Sequence, residues 1–61
     1  MNRTIAQTST KIISAVTSHH VGGGQSEAYL VADIDAIDGA QMACRMYTAL
    51  AEAEADYASR A

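Results

Sequence analysis

Residues 38–60 carry an amphipathic helical pattern, and a chain this short must build its fold around it. Asp38 is a suitable N-cap, Gln41 stands three residues on as a capping box requires, and Ile37 and Met42 fall where a hydrophobic staple would close the first turn. Gly39, Ala43, Met46, Leu50, Ala53 and Tyr57 then recur at alternating spacings of four and three, which collects them on one face. The spacing predicts a helix over 38–60 with a narrow apolar seam of Ala43, Met46, Leu50, Ala53 and Tyr57. That seam must lie against the chain's own sheet or against a second copy.

Size makes the question of cover acute. Sixty-one residues make one domain, 1–61, and a chain of this length buries only about 60% of the surface its unfolded form exposes. Small scaffolds compensate with disulfides, metals or oligomerisation. The single cysteine, Cys44, excludes an intrachain disulfide, and its place beside the seam suggests a small buried filler. No Cys/His spacing of the structural-zinc kind is present, and no cofactor is expected. With no Trp or Phe, the core must rest on Ile, Val, Leu, Met and Ala. Self-association or a larger partner is therefore the expected source of further burial.

Upstream of the helix the composition turns to strands. Residues 1–10 are rich in Thr, Ser, Asn and Gln and read as a polar arm or an edge strand. Ile12, Ile13, Val16, Thr17 and Val21 favour a pleated strand. Gly22, Gly23 and Gly24 break it, and Ala28, Leu30, Ala32 and Ile34 then alternate with Tyr29, Val31, Asp33 and Asp35. Residues 11–35 are thus an antiparallel hairpin. The expected fold is α+β, of ββα order, with the hairpin packed on one long C-terminal helix.

A helix of about 21 residues, about 31 Å long, would run the full length of a nine-residue strand of about 30 Å. Ile12 and Val16 fall on one face of the hairpin, and Ile13 and Ala15 on the other. One helix cannot cover both. A homodimer is expected, formed by sheet extension or through the helices.

Charge narrows the function. Four basic residues stand against seven acidic ones, giving −3 at neutral pH. Nucleic acid and anionic membrane surfaces demand clustered Lys/Arg, so neither is an expected partner. Ser14, Thr17, Ser18 and the histidines define no nucleophile with an oriented base, and no enzymatic activity is expected. The glycine run leads into a strand rather than a helix N-terminus, so it is a hairpin tip rather than a phosphate cradle. Glu52, Glu54 and Asp56 crowd the last third of the long helix, where its dipole disfavours anions, and only Asp56 has an i,i+4 partner, Arg60. Acids placed against a local rule suggest charge set out for a basic partner surface.

The expected function is a small acidic interaction protein that binds and blocks or adapts a larger protein. The contacts would be Glu52, Glu54 and Asp56, with Tyr29 or Tyr47 as aromatic anchors. In kind it is similar to the compact acidic inhibitors with which phages and mobile elements disarm host defence. The alternatives are a small-ligand or metal module using His19/His20 and Asp33/Asp35, and a dimeric β-ribbon transcriptional regulator with Arg3 and Lys11 near its strands. One unpaired cysteine and no secretory signal pattern point to the cytoplasm.

Overall fold

A computed structural model describes residues 2–60. Four strands and one helix follow in order: β1 (Asn2–Gln7), β2 (Lys11–His19), β3 (Gln25–Ile34), β4 (Gln41–Tyr47) and α1 (Leu50–Ser59). The strands form a single antiparallel sheet in the order β1-β2-β3-β4. The helix packs on one face of it, chiefly over β3 and β2. This is the α+β arrangement that the sequence implies, with the edge-strand alternative realised at residues 2–7 and one strand, β4, that was not expected.

The central hairpin forms as its β-branched composition dictates. β2 and β3 pair without interruption from Lys11↔Asp33 to His19↔Gln25. The tip is closed by His20 N–H donating to Gly24 O at 2.9 Å and Gly23 N–H donating to His20 O at 3.2 Å. Gly22, Gly23 and Gly24 all take positive φ there, which a side chain would oppose. Polar residues 2–7 form the edge strand β1, and Thr8 Oγ1 turns the chain by accepting from the backbone N–H groups of Thr10 and Lys11.

The expected long helix is corrected by the structure. Residues 41–47 are strand β4, and the helix begins only at Leu50. Asp38 is not an N-cap, and Ile37, its supposed staple, is 97% exposed at the tip of a turn. The cause is the chemistry of 35–40. Asp35 Oδ1 accepts from the N–H groups of Ile37 (2.7 Å) and Asp38 (3.3 Å), and Asp38 Oδ1 accepts from Ala40 N–H (2.9 Å). Gly39 N–H donates to Asp35 O at 2.9 Å, and Gly39 takes φ +74°. Two Asx turns, the second built around a left-handed glycine, reverse the chain rather than start a helix. Gln41–Tyr47 then pairs with β3, supplying inter-strand bonds that a solitary long helix would forgo.

The helix that remains is ten residues long, about 15 Å, so it covers only part of the hairpin. Ala51, Ala53, Ala55 and Ala58 give it propensity, yet a helix this short is marginal alone. It holds because Ala53, with no exposed surface, lets its axis approach Ile13 and Val31, while Tyr29, Tyr47 and Tyr57 pack around that contact. Cys44 is exposed on β4 rather than buried.

Candidate interaction face

The sheet has two faces of opposite character. Ile13 and Val31 meet the helix at Ala53, so they mark the covered face. Alternation and register put Lys11, Ala15 and Thr17 of β2, and Glu27, Tyr29 and Asp33 of β3, on that side. Arg3 joins them opposite Ala15, and Arg45 opposite Val31. Every charged residue of the strands (Arg3, Lys11, Glu27, Asp33 and Arg45) therefore lies on the face that bears the helix.

Two of these charges, Lys11 and Asp33, fasten the end of the helix to the sheet. Lys11 Nζ donates to the carbonyls of Tyr57 (2.9 Å) and Arg60 (3.0 Å), satisfying groups the helix end leaves open. The same ammonium lies 4.6 Å from the centre of the Tyr57 ring. Arg60 Nε donates to Asp56 Oδ1 at 3.0 Å and Nη2 to Asp56 Oδ2 at 3.1 Å, the i,i+4 pair that the sequence suggests. Arg60 Nη1 adds an ion pair with Asp33 Oδ1 at 3.2 Å, without hydrogen-bond alignment. Tyr47 Oη donates to Asp56 Oδ2 at 2.6 Å. Arg60 and Tyr47 together hold the Asp56 carboxyl below its ordinary range. Arg3 and Glu27 make a looser, exposed pair at 3.6 Å.

The opposite face has no such charge among the described residues. It presents Ile12, Ser14, Val16 and Ser18 of β2, Ser26, Ala28, Leu30, Ala32 and Ile34 of β3, and Met46 of β4. Thr4 and Gln7 of β1 form a rim, and His20 touches it through Nε2 and Ser26 Oγ at 3.0 Å. No second helix covers this side among the described residues. Ile12 and Ala32, flanked by strands on both sides, are already 8% and 0% exposed; Val16, Leu30 and Ile34 are half-buried, and Met46 is 55% exposed. A solvated sheet face normally carries the charges and the covered face the aliphatics. Here the charges have gone to the helix side.

The residues expected to bind a partner divide accordingly. Glu52 and Glu54 are exposed on α1. Glu52 stands in the first turn, where the dipole favours an anion, because the helix starts later than its pattern suggests. Asp56 has both oxygens engaged within the fold. Tyr29 and Tyr47 are paired neighbours on the covered face, half-buried against the core. The seam is likewise divided: Ala43 and Met46 belong to β4, while Leu50, Ala53 and Tyr57 belong to the helix.

The supposed metal or ligand constellation is not assembled. His19 pairs with Gln25 at one end of the hairpin and Asp33 with Lys11 at the other, eight residues along the strand, or about 26 Å. No group of three or more His, Cys, Asp and Glu side chains comes together among the described residues. An open cleft of about 310 Å³ lies beside the tip, lined by Thr17, His19, Gln25, Ser26 and Glu27. No described helix is long and apolar enough to cross a membrane. Neither a protein-family model, nor a curated protein, nor a solved structure matches this chain. What the molecule can do must be argued from its surfaces.

Sequence reasoning singled out the acids and the helical seam but missed this partition. Its trace was in the parity of the strands: within 11–19 and 25–34 the large aliphatics stand at both parities, but the charges stand only at odd positions, leaving Ile12, Val16, Leu30 and Ile34 on an uncharged set of even ones.

Proposed function

We propose that this chain is a non-enzymatic interaction protein whose uncharged sheet face is covered by protein in its working state. Its acidic outer surface would meet the basic surface of a larger partner, which it blocks or adapts. The observation that carries this reading is the partition of charge between the two faces. Protein interfaces lose charged residues at their centres, and an apolar face left to water gains nothing from excluding them.

The outer surface is acidic for a related reason. Lys11 and Arg60 are spent on the helix end and Arg3 on Glu27, leaving Arg45 as the cation with neither an ion pair nor a side-chain hydrogen bond among the described residues. Glu52 and Glu54 stay outward on α1, and Asp35 and Asp38 at the turn. That balance suits a basic partner and a role of the kind played by phage inhibitors. An exposed thiol at Cys44 fits a reducing compartment such as the cytoplasm.

The test is capture by tagged wild-type, Leu30→Glu and Glu52→Lys/Glu54→Lys chains, offered both a host lysate and a differently tagged copy of the chain. The wild type should retain a stoichiometric protein. Leu30→Glu should lose whatever the sheet face holds, and the lysine variant should lose the basic partner, with circular dichroism unchanged in both. Equal retention by all three chains would remove the sheet face and the acids from the account.

A further inference from the structure

The uncharged face is a checkerboard. Across the β2–β3 register each bulky side chain stands beside a small one: Ile12 beside Ala32, Leu30 beside Ser14, Val16 beside Ala28. The sizes alternate along β2 from Ile12 to Ser18 and along β3 from Ala28 to Ile34, so knobs and hollows run diagonally over the middle of the surface. Leu30 sits at the centre, with Ser14 on one side and Met46 on the other. Sheets that pack face to face interdigitate side chains about 10 Å apart, and alternation of large and small positions is what such packing requires.

We infer that the occupant of this face is a second copy of the chain, packed sheet to sheet about a two-fold axis, with both helices outside. This deepens the reading above and rests on it. Three features favour a copy over a foreign surface. A two-fold contact sets a patch against itself, so like charges would meet wherever the patch carried any. With a net charge of −3 and Glu52, Glu54 and Asp38 outward, the chain has few other surfaces that escape this repulsion. The checkerboard is self-complementary: turned over on itself, it offers hollows at Ser14, Ala28 and Ala32 to the knobs of its own kind. The rim hydroxyls and amides both donate and accept, so they can pair with their own equivalents.

The area is sufficient. The four strands, of six, nine, ten and seven residues, at about 3.3 Å per residue and about 4.8 Å apart, present roughly 510 Å² to a partner, hence about 1,000 Å² for two copies. That lies near the lower limit of specific protein interfaces. Edge-to-edge pairing is the poorer route. β1 is bulged between Thr4 and Ala6, and β4 is bulged where Ala43 takes φ +51°, so neither edge offers a regular ladder.

Sedimentation and light scattering on the whole chain test this, with the circular dichroism and melting temperature of each variant checked. The wild type should weigh twice 6.4 kDa. Ser14→Leu fills a hollow while adding apolar surface. It should weaken the dimer at least about tenfold in Kd, as should Leu30→Glu. A merely sticky face would associate more strongly in Ser14→Leu, and that result would overturn the inference. So would a dimer that ignores both substitutions, or a wild type that stays monomeric up to about 100 µM. A monomer that captures a different protein, with Leu30→Glu abolishing capture, removes the second copy and keeps the interaction face. A monomer whose capture ignores Leu30→Glu removes both.

Discussion

Tyr47 Oη donates to Asp56 Oδ2 across 2.6 Å and so ties the last residue of β4 to the final turn of α1. Only Thr48 and Ala49 separate the two elements, and no side chain caps the start of the helix. The direction in which the helix leaves the sheet is therefore fixed later in the chain, where Asp56 bridges Tyr47 and Arg60. The pair holds α1 to the charged side and leaves the other side of the sheet bare.

That bond should appear in the pH dependence of stability. Arg60 and Tyr47 lower the Asp56 value below its ordinary 3.8, so its contribution is complete above about pH 3.8 and is lost as pH falls through the lowered folded value. Hydrogen bonding to Asp56 raises Tyr47 above 10.0, so its contribution is complete below that pH and is lost as pH rises through the raised folded value. Urea unfolding across this range should give a plateau that falls at both ends. Asp56→Asn should lower the neutral-pH melting temperature by a few degrees and flatten the acid limb. Tyr47→Phe should flatten the alkaline limb. An acid limb of unchanged steepness in Asp56→Asn would mean the pair contributes nothing to folding.

A second prediction concerns the bulge in β4. Arg45 pairs with Val31 and Met42 with Asp33, so Ala43 and Cys44 together oppose Ala32, and Ala43 takes φ +51° to allow it. A left-handed conformation costs a non-glycine residue about 1–2 kcal/mol, from which the extra chain entropy of glycine subtracts about 0.5–1 kcal/mol. Ala43→Gly should therefore stabilise by about 0.5–1 kcal/mol, raising the melting temperature by roughly 2–8 °C. A lower melting temperature would mean that the methyl group has packing worth more than the strain.

The same segment marks the limit of what the sequence discloses. The β2–β3 hairpin was legible because its two cues, β-branched residues and period-two alternation, agree with the pairing they find. Over residues 38–49 the sequence carries two conflicting cues, and the helical pattern holds only from Leu50. Spacings of three and four suit a helix, and Asp38-Gly39 equally suits a reversal into a strand. Pairing with β3 decides between them, and a β3 buried on both sides by neighbouring strands is not a local property. The acids were legible as residues but not as surroundings: Asp56 became structural and Glu52 unexceptional once the helix began at Leu50. The uncharged face was present in the parity of residues, and only the placement of the helix gave that parity a meaning.

The last prediction follows from how closely helix and sheet approach. Ala53 has no exposed surface and meets Ile13 and Val31, so its methyl group sets the distance between the layers. Enlarging it has no outlet, because Tyr29, Tyr47 and Tyr57 already surround the contact. Ala53→Leu should cost about 1–3 kcal/mol through overpacking, and at about 4–8 °C per kcal/mol the melting temperature should fall by several degrees or more. Ala55→Leu makes the control: it adds the same atoms to the same helix at an exposed position and should stay within about 0.5 kcal/mol of the parent. Thermal melts of the two variants under one condition decide the matter. Equal melting temperatures would mean that the helix does not lie on the sheet through Ala53. The tie between Tyr47 and Asp56 would then have no packed layer to hold.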